Sequence, residues 1–193
     1  MTKPALHHWV LVFLAANLLV GSPAAYAAVE DEAPTGFTIS ETTDVAAMPE
    51  RVYAALIAPQ NWWSGEHTYS HDAANLKLDA RAGGCWCEML PEGGSVQHLV
   101  VVNVIPGKLL RLRGALGPLQ GMAVDGAMTF SLHAHENSTQ ITLTYVVGGY
   151  AKQGFGELAK AVDSVLGEQT ERLRRFVETG AAEAVAQSTK KGE

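Results

Sequence analysis

Cys85 and Cys87 stand one residue apart in GGCWCE (83–88) and are the only cysteines in the 193-residue chain. On an extended strand such a pair is about 6.6 Å apart, whereas a disulfide wants Cβ atoms about 3.8 Å apart. A bridge therefore needs a bulge, which Gly83-Gly84 invite, and strand geometry favours two partly buried free thiols. A third arrangement adds His98, and Asp79 from a neighbouring strand, to make a zinc or copper set. C-x-C with one distant histidine is a weak metal pattern, and no cofactor is expected. Glu88 follows the cysteines directly. In an apolar pocket its carboxyl pKa would rise toward neutrality, which suits a general base, and Tyr145 or Tyr150 could supply a proton. His67 and His71 would share a face on a helix, but their Gly- and Asn-bounded segment reads as loop, so they are expected at the surface. No G-x-S-x-G motif or nucleotide loop names a reaction.

The compartment bears on those thiols. Lys3 precedes an apolar run from Trp9 to Val20, broken by Gly21, Ser22 and Pro23 and followed by Ala25-Tyr26-Ala27. This is the pattern of a secretory signal peptide over 1–27, too short to span a bilayer at roughly 20 residues. The mature protein is expected in the periplasm or secreted, with no membrane anchor after cleavage near Ala27. An exported compartment is oxidising. The formal charge of −6 argues against nucleic acid as a partner.

The elements that must position these residues follow from periodicity and breakers. Residues 28–36 are acidic, with Pro34 and Gly36, and read as a flexible leader. Residues 37–46 read as a strand. A helix opens at Pro49 with Glu50 in its first turn and stops at Pro59, and a short second turn or helix carries Trp62-Trp63. Six strands separated by Gly/Pro/Asn breaks fill 75–150. Leu158, Val162, Val165, Leu166, Gln169, Leu173, Phe176 and Val177 then mark a long amphipathic helix ended by Gly180. Residues 180–193 read as a flexible tail. One α+β domain, 37–179, is expected.

Hairpin register assigns faces. If PEGG (91–94) is a four-residue loop, Trp86 pairs with Leu99, Cys87 with His98 and Glu88 with Gln97. If PG (106–107) is a two-residue turn, Leu99, Val101 and Asn103 share a face with Leu110 and Leu112, and Val100 and Val102 share the other with Arg111 and Arg113. Burying two unpaired guanidiniums costs far more than exposing valine. The face with Trp86, Glu88, Leu99, Leu110 and Leu112 should therefore point inward, and that with Cys85, Cys87, His98, Arg111 and Arg113 outward. By the same alternation Phe130, Leu132, Ile141, Leu143, Tyr145 and Val147 point inward, and His133 and His135 into solvent.

The order of these elements, with DVAAMPERVYAAL, the tryptophans after it, GGCWC, VIPGKLLRL and TQITLTYVVGGY, resembles the SRPBCC superfamily. This is the START-like, birch-pollen-allergen-like helix-grip group that includes polyketide cyclases and homologues of the heat-shock ATPase activator. The resemblance covers about 37–178. It implies a curved antiparallel sheet of about seven strands wrapped on the C-terminal helix, two short helices after the first strand, and an apolar cavity between sheet and helix. A small hydrophobic ligand is then the expected partner, held by Trp62, Trp86, Leu99, Leu110, Leu112, Phe130, Leu132, Leu143 and Tyr145, with Glu88 and Gln97 as the polar foothold. The loop 115–126 with Trp62-Trp63 would form the mouth. Two alternatives stay open: a cyclase or hydrolase with Glu88 as base, and an interaction protein using the Cys85-x-Cys87 face, with a homodimer allowed.

Overall fold

Strict alternation builds the sheet. The computed structural model describes residues 27–184, and in it β2 (Gly36–Val45) buries Phe37, Ile39, Glu41, Thr43 and Val45 on one face. After α1 (Pro49–Leu56) come β3 (Leu76–Leu78), β4 (Cys85–Met89), β5 (Ser95–Ile105), β6 (Leu109–Arg113), β7 (Ala123–Ala134) and β8 (Thr139–Tyr150). The long α2 (Gly156–Thr179) follows. β7 and β8 pair over their full 12-residue lengths without a slip, which sets Phe130 opposite Leu143 and Met128 opposite Tyr145. The buried faces of β5 to β8 and of α2 (Ala159, Leu166, Leu173, Val177) meet in one core, where each large apolar side chain contributes roughly 1.5–3 kcal/mol. Gly180 ends α2 at φ 82°, and its N–H donates to the Phe176 carbonyl at 2.9 Å. This is the α+β sheet-around-helix arrangement expected.

Several expectations change. Among the described residues the sheet has eight strands, in the order β1-β2-β8-β7-β6-β5-β4-β3. The additional one, β1 (Ala27–Ala33), forms from the acidic segment read as a flexible leader, because β2 would otherwise present an unpaired edge to its N–H and C=O groups. The start of the segment read as a flexible tail is tied down. Ala182 is buried and its carbonyl accepts from Arg175 Nε at 2.8 Å, while Glu183 pairs with Arg172 at 2.7 Å. The signal-peptide segment before residue 27 and residues 185–193 lie outside the described residues. Among the described residues no helix is long and apolar enough to cross a membrane.

Two bulges in β5 revise the register. Ile105 pairs with Leu109 rather than Lys108, so the turn has three residues, and Val102 is the extra residue that restores Val101 to Leu112. In the first hairpin Met89 pairs with Ser95, Glu88 with Val96 and Cys87 with Gln97, yet Trp86 still meets Leu99. His98 is the residue without a partner. A bulge lets two successive residues face the same way, and His98 and Leu99 are both buried. Arg111 and Arg113 are exposed as expected, Arg113 paired with Asp125.

The expected free thiols are instead a disulfide, Cys85–Cys87, on the outer side of β4. The two Cα atoms lie 5.4 Å apart, inside the range a bridge needs of about 4.4–6.8 Å. The strand is contracted beside the register shift, and the extra residue that produces the shift belongs to β5. Trp86 and Glu88 therefore keep their inward orientation, at 2% and 0% exposure. The supposed metal set is not assembled, since both sulfurs are bonded to each other and His98 lies on the opposite face.

Candidate functional site

The N-terminal half of α2 faces a cavity of about 450 Å³ through Leu158, Ala161, Val162, Val165 and Leu166. Its other walls come from three places: the 63–69 segment after α1, the 116–119 segment between β6 and β7, and the end of the sheet at Leu76, Trp86 and His98. α2 also holds the first of these segments in position. Arg172 Nε donates to the Trp62 carbonyl at 2.9 Å, and Gln169 accepts the Ser64 N–H at 2.8 Å. Trp62 is sealed below, its indole N–H donating to the Ala55 carbonyl at 3.0 Å. Trp63 is left against the cavity, nearly perpendicular to Trp86 at 82° with ring centroids 5.1 Å apart.

The second segment is held by Tyr145, whose hydroxyl donates to the Gly114 carbonyl at 3.0 Å and accepts the Leu116 N–H at 3.2 Å. Gly126 makes room for that ring: a Cβ there would stand 2.5 Å from it. Burial pushes the Tyr145 phenol up to about 12. Tyr69 joins the two segments, its hydroxyl donating to the Gly117 carbonyl at 2.9 Å.

Behind the cavity wall lies a carboxylate–imidazole pair. Glu88 is fully buried and accepts the N–H of Tyr69 at 3.1 Å and of Ser70 at 2.5 Å. Its third partner is His98 Nε2, at 2.9 Å. Burial alone would raise the Glu88 pKa. The donors from Ser70, Tyr69 and His98 outweigh it and hold the group below the usual glutamate range. Burial pushes His98 below the usual histidine range, partly opposed by Glu88. The pair therefore sits at neutral pH as glutamate anion and neutral imidazole, with His98 the member that lines the cavity. Histidine so oriented by a carboxylate can accept a proton or a hydrogen bond through its other nitrogen.

Of the residues expected to line the cavity, Trp86 does so. Trp62, Leu99, Leu110, Leu112, Phe130, Leu132, Leu143 and Tyr145 pack instead into the core beside it. Gln97 is exposed, and through the bulge His98 stands at the cavity wall in its place. Glu88 is not the free, raised-pKa base expected, because its oxygens are engaged by three donors. His67 and His71 are exposed, His67 at the cavity rim within 3.1 Å of Glu168. Of the tryptophan pair and the loop expected to form the mouth, Trp63 and Leu116 to Leu119 line the cavity. The α2 residues Leu158, Val162, Val165 and Leu166 were visible in the sequence as an apolar stripe, without a sign that part of it faces open space.

Solved structures share this fold. A conserved protein of unknown function from Enterococcus faecalis, EF2215, matches with a TM-score of 0.54 at 14% identity, over 85% of this chain and 81% of that one. The Aha1 dimer from Colwellia psychrerythraea matches with a TM-score of 0.53 at 19% identity, over 74% of this chain and 97% of that one. DynU16, a protein in the dynemicin biosynthetic locus, matches with a TM-score of 0.53 at 18% identity, over 75% of this chain and 48% of that one. Likeness at these identities establishes the helix-grip fold and no activity. No family model matches the sequence, and no curated protein matches it.

Proposed function

We propose that this chain is an exported, SRPBCC-like binding module that holds a small hydrophobic molecule between the sheet end and the N-terminal half of α2. The observation that carries the reading is the cavity of about 450 Å³, within the roughly 300–1,000 Å³ of small-molecule sites. Its walls are mostly aliphatic and aromatic, with His98 and Thr68 the buried polar residues among them. Export is supported by the N-terminal pattern and by the disulfide, which persists in oxidising compartments. Calorimetric titration of the purified protein with fatty acids, sterols and aromatic polyketide-like compounds tests it: saturable binding at about one per chain supports the reading, and its absence across the panel overturns it.

The Glu88–His98 pair favours a second reading, an enzyme of cyclase or hydrolase type acting on a hydrophobic substrate. The base is then His98 rather than Glu88, since only His98 lines the cavity. His98→Asn would abolish turnover while leaving substrate affinity within a few-fold; equal loss of both would sink this version.

A further inference from the structure

We infer that the cavity selects neutral apolar molecules carrying a hydroxyl group and discriminates against free carboxylates, because His98 presents a hydrogen-bond acceptor and the walls offer no cation. The inference rests on the binding reading above and names the ligand class.

The donor–acceptor assignment follows from the geometry around Glu88. Two of its three partners are backbone N–H groups, at 3.1 and 2.5 Å, which can only donate. Glu88 Oε2 takes both the Tyr69 N–H and His98 Nε2. A carboxyl proton placed among these donors would lose a bond rather than gain one, so the group is a carboxylate and Nε2 carries the hydrogen. In a neutral imidazole the remaining nitrogen, Nδ1, is an acceptor. The side-chain hydrogen bond that His98 makes among the described residues is the one from Nε2 to Glu88, which leaves Nδ1 for a ligand hydroxyl.

The charges around the cavity point the same way. Its lining contains no lysine or arginine. Glu88 stands behind His98, Glu66 is part of the lining, and His67 at the rim already has Glu168 as partner. The Tyr69 ring also stands near the imidazole, with centroids 6.0 Å apart. A carboxylate entering this site would shed water without gaining a counter-charge. A hydroxyl would gain one hydrogen bond, and the apolar body would bury the same area in either case.

Naphthol, naphthalene and naphthoate test this as a shape-matched series, titrated calorimetrically into the full mature chain at neutral pH. Naphthol should bind about tenfold more tightly than naphthalene, the effect of one hydrogen bond to an acceptor that the protein leaves free, and naphthoate more weakly than either. In His98→Phe the naphthol advantage should vanish while naphthalene still binds. Should that variant not fold, the wild-type protein supplies a second measurement: naphthol should shift the His98 Nδ1 nitrogen resonance while Nε2 stays protonated, and no shift at Nδ1 would overturn the selection. Naphthoate binding as tightly as naphthol at neutral pH would overturn the selection while leaving the cavity as a binding site. Failure of all three to bind saturably would overturn the binding reading itself.

Discussion

His98 reaches Glu88 at 2.9 Å because β5 carries one residue more than β4 opposite the Trp86–Cys87 step. Without that bulge the imidazole would point outward, beside the cysteines, and Glu88 would be a buried anion with only the Tyr69 and Ser70 amides for partners. One inserted residue thus fixes the polarity of the cavity wall and the position of the 69–70 segment.

Glu88→Gln should be strongly destabilising, by about 3–5 kcal/mol. The amide can face its N–H₂ toward the Tyr69 or Ser70 N–H groups only by repulsion, and His98 loses its carboxylate. Ligand affinity should fall with stability because the 69–70 segment is released. Chemical denaturation combined with titration checks this; a stable variant with wild-type affinity would remove Glu88 from its anchoring role.

Tyr145→Phe removes both hydrogen bonds at the base of the 114–119 segment while keeping the ring. The Gly114 carbonyl and Leu116 N–H lose their partner, at a cost of about 1–3 kcal/mol. Amide exchange should quicken in 114–119 and not in β8. With its phenol at about 12, Tyr145 should contribute no ionisation to any activity profile between pH 5 and pH 9.

Glu41 predicts a pH dependence of stability. It lies on the buried face of β2, with neither carboxyl oxygen hydrogen-bonded, and its pKa is raised to about 7 by burial and by Asp163 on α2. The folded protein therefore keeps this proton where the unfolded chain, near 4.5, has lost it. Stability from this group is full below about 4.5, falls as pH rises to about 7, and levels off above, by on the order of 1–3 kcal/mol in total. Glu41→Gln should flatten that slope and raise the melting temperature at pH 8 relative to pH 5. An unchanged slope would show that Glu41 is not the titrating group.

The Cys85–Cys87 bridge closes a loop of three residues. Its chain-entropy contribution is on the order of 1–2 kcal/mol, so the reduced protein should remain folded with a melting temperature lowered by a few degrees. Denatured, unreduced protein should take up no alkylating agent, and reduced protein two equivalents. Alkylation without reduction would contradict the bridge.

The sheet faces were legible because arginine cannot be buried unpaired: Arg111 and Arg113 alone fix Leu110 and Leu112 inward, and the β7–β8 pattern does the rest. The bulge was not legible. His98 and Leu99 read as alternating residues, and nothing in QHLVV marks which residue is extra, so alternation places Gln97 beside Glu88 on the polar wall and His98 outside. Ideal strand spacing argues against the disulfide, and the local contraction of β4 removes that obstacle. The cavity was displaced for a related reason. Period-two alternation finds the buried side of a strand but does not distinguish packed core from empty space, and that distinction depends on where α2 and two loops stop short of the sheet.

Trp62, Trp63 and Trp86 form a triangle of edge-on rings with centroids 5.1 to 6.3 Å apart. At such separations indole transitions couple, so the three rings absorb and emit as one chiral chromophore rather than as independent residues. Two of its members line the cavity and the third is sealed beneath them. The site therefore has its own optical reporter. An occupant seated against Trp63 and Trp86 will change the splitting of the near-ultraviolet dichroism band and the energy transfer among the rings, so occupancy can be followed on the unlabelled protein.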